Sequence, residues 1–322
     1  KTMRLFKKVL AVSVASMCAL SLAACGGSKS AETTAAASSE SKEETKAGES
    51  VSEAVAATGK DAKDIKVGIS IYKFDDNFMT LYRNELVRYL TEDCGIPKDN
   101  IVVQDGKNDQ AEQTNQINNF IATKVDVMIL NLVQSSSAPT VTDLAKEAGI
   151  PVVYINREPD ETEESRWASD GIKATYVGAD ARQSGTFQGE EIAELDNKGD
   201  INGDGTVKYI MIQGDPENID AQYRTEYSVK ALTEKSGLKA EELLIQRGDW
   251  DQAKGQQIAQ DALTQYGKDI EVIFCNNDAM ALGALQAINA AGRKVGEDIY
   301  IVGVDALAEA VQNVSEGKMT GT

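Results

Sequence analysis

Nine residues of this chain carry side chains suited to holding a small polar molecule: Tyr72, Asp76, Phe78, Asn156, Asp220, Arg224, Trp250, Asn277 and Asp305. Carboxylates, carboxamides and a guanidinium supply donors and acceptors, and the aromatic rings offer apolar faces. Histidine is absent, which excludes Ser-His-Asp and Cys-His nucleophilic mechanisms and the usual zinc sites. Each residue also has a plainer reading. An Asn or Asp just after a strand is commonly a helix cap or turn residue, and Phe78 or Trp250 suits a core or a helix staple. Their joint occurrence at the carboxyl ends of predicted strands is what argues for a site.

Those strands are expected near 66–72, 101–104, 126–131 and 151–156, with amphipathic helices between them. After a helix near 181–195 the rhythm resumes, with strands near 207–213, 243–246, 270–276 and 299–304. Alternation of this kind gives parallel α/β sheets. Two Rossmann-like lobes in series are therefore predicted, 65–178 and 179–322, joined by a hinge whose first crossing is Gly178 to Asp180. Ligands of open α/β sheets gather beyond the carboxyl ends of the strands, so facing lobes would bring the nine residues into one cleft.

The first residues speak to compartment. Lys1, Arg4, Lys7 and Lys8 precede an uncharged apolar run from Val9 to Leu22, the layout of a secretory signal and too short to span comfortably as a permanent helix. It closes on Leu22-Ala23-Ala24-Cys25-Gly26, which resembles the bacterial lipobox. Residues 1–24 are thus expected to be removed and Cys25 to be lipidated, anchoring the protein to the outer face of the cytoplasmic membrane, or the periplasmic side in a Gram-negative cell. Two or more acyl chains hold a protein stably at such a surface. Residues 25–64, rich in Ser, Ala, Glu, Lys and Thr without aromatics, read as a disordered tether.

All 51 acidic residues follow Cys25; taking the four leading cations from the 33 basic residues leaves a net charge of −22. That argues against nucleic acid and against an anionic ligand, and favours a neutral one. The four cysteines include Cys18 in the signal and Cys25, leaving Cys94 and Cys275. No disulfide framework or cysteine-rich metal motif is readable.

From about Lys66 onward the chain resembles the galactose/glucose-binding proteins of bacterial ABC import. The resemblance rests on Ile71-Tyr72-Lys73-Phe74-Asp75-Asp76-Asn77-Phe78-Met79, Asn156-Arg157-Glu158-Pro159, Tyr176-Val177-Gly178, Asn276-Asn277-Asp278-Ala279-Met280-Ala281 and Gly303-Val304-Asp305-Ala306-Leu307. Ribose-binding proteins and LacI-type repressor cores share the fold but not the combined pattern. The resemblance implies a type I periplasmic binding protein fold, apparently truncated at the C-terminus. It carries all nine residues over as sugar ligands, with Phe78 and Trp250 sandwiching a pyranose and the polar groups meeting its rim. Asn218 stands where the family usually has a histidine contacting the sugar, and is the tenth expected ligand.

The resemblance further implies a hexose ligand, closure of the lobes around it, and delivery to the membrane subunits of an ABC importer by a monomer. A chemoreceptor or sensor kinase is the alternative partner. A glycosidase using Asp76 and Asp220 as paired carboxylates is the enzymatic rival, and non-catalytic binding is the expectation. A second site is expected in Asp200-Ile201-Asn202-Gly203-Asp204-Gly205-Thr206-Val207-Lys208, whose alternating oxygen-bearing residues suit a calcium loop. Asp200, Asn202, Asp204, the Thr206 carbonyl and the remote Glu271 would ligate Ca²⁺. Lys208 replaces the family's glutamine oxygen, and its ammonium repels a cation, so calcium is expected to bind with reduced affinity or the lysine to point away.

Overall fold

A computed structural model describes residues 59–322. The predicted signal peptide, the lipidation site Cys25 and the tether as far as residue 58 lie outside the described residues. The end of the expected tether is ordered: Ala62–Asp64 form a short 3-10 turn, and Ala62 and Ile65 pack against apolar residues of the first sheet.

Among the described residues, nine strands form two wholly parallel sheets. The first has the order β2-β1-β3-β4-β5, built from β1 (Val67–Ile71), β2 (Ile101–Asp105), β3 (Val127–Leu130), β4 (Val152–Ile155) and β5 (Ala174–Val177). The second has the order β7-β6-β8-β9, from β6 (Thr206–Gln213), β7 (Lys239–Arg247), β8 (Val272–Cys275) and β9 (Tyr300–Val302). The central strands are continuous apolar runs because helices cover both faces; every residue of β1 and β8 is buried.

The helices between strands are α1 (Asn77–Arg88), α2 (Gln110–Ala122), α3 (Ala138–Ala148), α4 (Glu161–Ser169), α5 (Ala181–Ala193), α6 (Ile219–Ser236), α7 (Gln252–Tyr266) and α8 (Asp278–Ala290), with α9 (Ala308–Ser315) after β9. Seven of them start on an Asp or Asn whose side chain accepts from an amide of the first turn, satisfying donors that a helix cannot satisfy internally.

The chain leaves the first sheet after Val177, and α5 then packs along α6. The passage between sheets therefore falls at Gly178 to Asp180, the predicted crossing. Helices α5 and α6 approach closely because Gly185 and Gly189 have no side chain: a Cβ at Gly185 would meet the Arg224 and Tyr223 backbone, and one at Gly189 the backbone at Ser228. That contact sets where α6 points its first two turns.

Candidate functional site

The carboxyl ends of both sheets converge on one cavity. All ten expected ligand residues line it: Tyr72, Asp76, Phe78 and Asn156 from the first lobe, and Asn218, Asp220, Arg224, Trp250, Asn277 and Asp305 from the second. Met79 and Arg157 line it too.

On the first lobe, Asp76 caps α1, with Oδ1 accepting from the Met79 amide at 2.7 Å and Oδ2 accepting from the Tyr72 hydroxyl at 2.5 Å. A carboxylate offers about four acceptor positions, so both oxygens keep capacity for a ligand. Arg157 is almost fully buried; its guanidinium lies 3.7 Å from the centre of the Tyr72 ring and donates to the Leu132 and Val133 carbonyls. Asn131, buried at the end of β3, accepts from the Tyr72 amide and donates to the Asn156 side chain. Tyr72 and Asn156 are thereby fixed to a common support.

The second lobe repeats the device. Asn276, buried at the end of β8, accepts from the Gly214 amide at 2.9 Å and bonds to Thr225. Gly214 is needed there, because a Cβ would run into the indole of Trp250. Asn218 and Asn277 cap α6 and α8 through their side-chain oxygens. Arg224 donates to the Asn276 carbonyl at 2.7 Å and lies 4.0 Å from Asp305. Trp250 packs against apolar residues of both lobes. Asn156 (φ 63°), Trp250 (φ 63°) and Asp305 (φ 123°) all adopt positive φ, a costly backbone that persists only where the surroundings impose it.

Three buried polar atoms at this cavity have no partner: Asp220 Oδ2, Arg224 Nε and Trp250 Nε1. Such atoms cost about 1–3 kcal/mol each when unsatisfied, so the cavity is chemically incomplete and calls for a molecule that both donates and accepts. Burial raises the Asp220 carboxyl above its ordinary value against the pull of Arg224. It pushes Asp305 up to about 8, Arg224 again opposing, and, just behind the site, Asp278 to about 6 and Glu191 to about 7.

These shifts fix a sign for stability. An unfolded carboxyl titrates near 4, so between there and about 8 the folded state binds more protons than the unfolded one and stability falls as pH rises. Calorimetry is expected to show a higher unfolding midpoint at about pH 5.5 than at about pH 8.5, with Asp305→Asn reducing the difference. A wild-type midpoint that climbs across this interval would contradict the assignment.

Residues 67–322 match the periplasmic binding protein domain family. The chain is a periplasmic binding protein. It is 38% identical over 266 residues to the D-galactose/methyl-galactoside binding periplasmic protein of Haemophilus influenzae, covering 81% of this chain and 76% of that one. A rhizopine-binding protein of Rhizobium meliloti, itself a provisional assignment, is 34% identical over 79% of this chain and 76% of its own length. Among solved structures, an ABC transporter solute binding protein from Bacillus halodurans with bound myo-inositol superposes with a TM-score of 0.66 at 29% identity, covering 80% of this chain and 82% of that one. Members of a solute-binding family bind rather than transform, so the paired carboxylates of the cleft are not read as an enzyme's.

The expected calcium loop of this periplasmic binding protein lies at the opposite end of the second sheet, where β6 begins. Asp200, Asn202, Asp204, Thr206 and Glu271 are brought together there, but through bonds to the backbone. Asp200 accepts from the amides of Gly203, Asp204 and Gly205, Asn202 from Asp204, and Asp204 from Thr206. Glu271 accepts from Ile201 and Asn202 on one oxygen and from Lys208 on the other.

Proposed function

We propose that this periplasmic binding protein captures a hexose of the galactose or glucose type outside the cytoplasmic membrane and presents it to the membrane subunits of an ABC importer. The observation that carries the reading is the set of unpartnered atoms on Asp220, Arg224 and Trp250, in a cavity that also holds the Phe78 and Trp250 rings. A pyranose complements that set: its C–H faces meet aromatic rings, and its hydroxyls donate and accept around the rim. The named ligands of the relatives, galactose and myo-inositol, are six-membered rings edged with hydroxyls, which supports the same class.

Hydrogen bonds to charged groups contribute about 1.5–3 kcal/mol each, and a micromolar affinity requires about 8 kcal/mol. Hydrogen bonds from hydroxyls to Asp76, Asp220, Arg224 and Asp305, together with contact on the two aromatic rings, are of the size that affinity requires. A ligand held by residues of both lobes favours the closed arrangement in proportion to the contacts it makes only there. The closed form is what an importer would recognise. The lipobox at Cys25 supports anchoring beside such a transporter; among the described residues no helix is long and apolar enough to cross a membrane.

Isothermal titration with D-galactose, D-glucose, myo-inositol and D-ribose tests the reading. A hexose is expected to bind one to one at low micromolar concentration and more tightly than ribose. Folded protein that gives no heat with either hexose would overturn it.

A further inference from the structure

We propose that the Asp200–Lys208 loop is closed by its own lysine instead of by a divalent cation, so that this protein folds and functions without calcium. The loop has the spacing of a calcium site, yet its donor set does not fit one. Among the described residues no group of three or more His, Cys, Asp or Glu is placed to hold a metal ion. The loop is held by its own backbone, with amides of residues 201 to 206 and 208 all donating to Asp200, Asn202, Asp204 or Glu271.

Lys208 supplies the positive charge. Its ammonium lies 3.8 Å from Asp204 Oδ2, and its own amide donates to Glu271 Oε2 at 2.9 Å. The residue thus touches the acidic set from both its backbone and its side chain. A calcium ion takes six to eight oxygen ligands. Here one ligand position carries a cation that cannot coordinate and that repels any metal entering beside it.

What the loop does mechanically is unchanged by this exchange. Glu271, 2% exposed, sits at the start of β8, while the loop leads into β6. Its bonds to Ile201, Asn202 and Lys208 tie the amino ends of these adjacent strands together, at the end of the sheet away from the cleft. An internal lysine makes that tie permanent and indifferent to the free calcium concentration outside the cell.

The test is thermal unfolding of the wild type and Lys208→Gln, each in about 1 mM EGTA and in about 1 mM CaCl₂, with calorimetric titration of CaCl₂ alongside. The wild-type midpoint is expected to be the same in both buffers, with no saturable calcium heat. Lys208→Gln, which restores an uncharged oxygen, is expected to gain a calcium-dependent rise of several degrees, because a ligand that binds only the folded state stabilises it. A wild type that binds or is stabilised by calcium overturns the proposal. So does a Lys208→Gln variant that folds yet remains indifferent to calcium, since something other than the lysine would then be excluding the ion.

Discussion

Arg224→Met is expected to weaken hexose binding by at least about 100-fold while leaving the protein folded. The guanidinium is the largest favourable charge acting on both Asp220 and Asp305, which burial already pushes toward protonation. It has an Nε–H with no partner in the protein. Losing one or two hydrogen bonds to a charged group, at about 1.5–3 kcal/mol each, accounts for the factor, since about 1.4 kcal/mol is tenfold. The substitution also removes the group that holds down the two carboxyls, so each becomes a poorer acceptor at neutral pH. Calorimetric affinities for galactose decide it. A Kd within tenfold of wild type, with an unchanged circular dichroism spectrum, would show that the guanidinium faces something other than the ligand.

Trp250→Ala is expected to cost on the order of 100-fold in affinity and to abolish the ligand-dependent change in tryptophan emission. The indole lines the cavity and packs against both lobes, so its removal takes away a stacking face and part of the contact that closure makes. Aromatic stacking adds about 0.5–1.5 kcal/mol beyond area burial, and burying a large side chain about 1.5–3 kcal/mol. The second tryptophan serves as an internal control. Trp167 is buried, stacks on Tyr154 at 5.5 Å and donates to Glu163 at 2.7 Å, outside the set lining the cavity. A sugar-dependent emission change that survives in the variant would place the optical signal on Trp167 and refute the role given to Trp250.

The central strands were readable because burial on both faces demands unbroken apolar runs, and β1, β3, β4 and β8 have them. Two of the edge strands were harder. β7 was predicted at 243–246 and extends over Lys239–Arg247, since an exposed edge tolerates Lys239, Glu241 and Glu242, which hide its length. β5 presents no apolar run, because its residues alternate between half-buried and exposed. The candidate ligands were legible from their place after strands, and the competing reading as caps proved compatible with it: Asp76, Asn218 and Asn277 cap helices and line the cavity at once. Arg157 was quoted in a motif but not proposed to touch the site, since its position over Tyr72 depends on how β4 lies beside β1 and β3. Asn131 had one local signal, a carboxamide ending an apolar strand, which Asn276 shares.

The positive φ values of Asn156, Trp250 and Asp305 bear on the thermodynamics of capture. Each lies in a backbone region that a free peptide seldom visits, so these three side chains are aimed by the fold before any ligand arrives. Their ordering entropy is spent when the chain folds, not when a sugar enters, which is the essence of preorganisation. A site built in this way discriminates by shape and hydroxyl pattern without having to find its conformation at each encounter. Under the proposed function, the motion left to the ligand is the closing of one lobe upon the other.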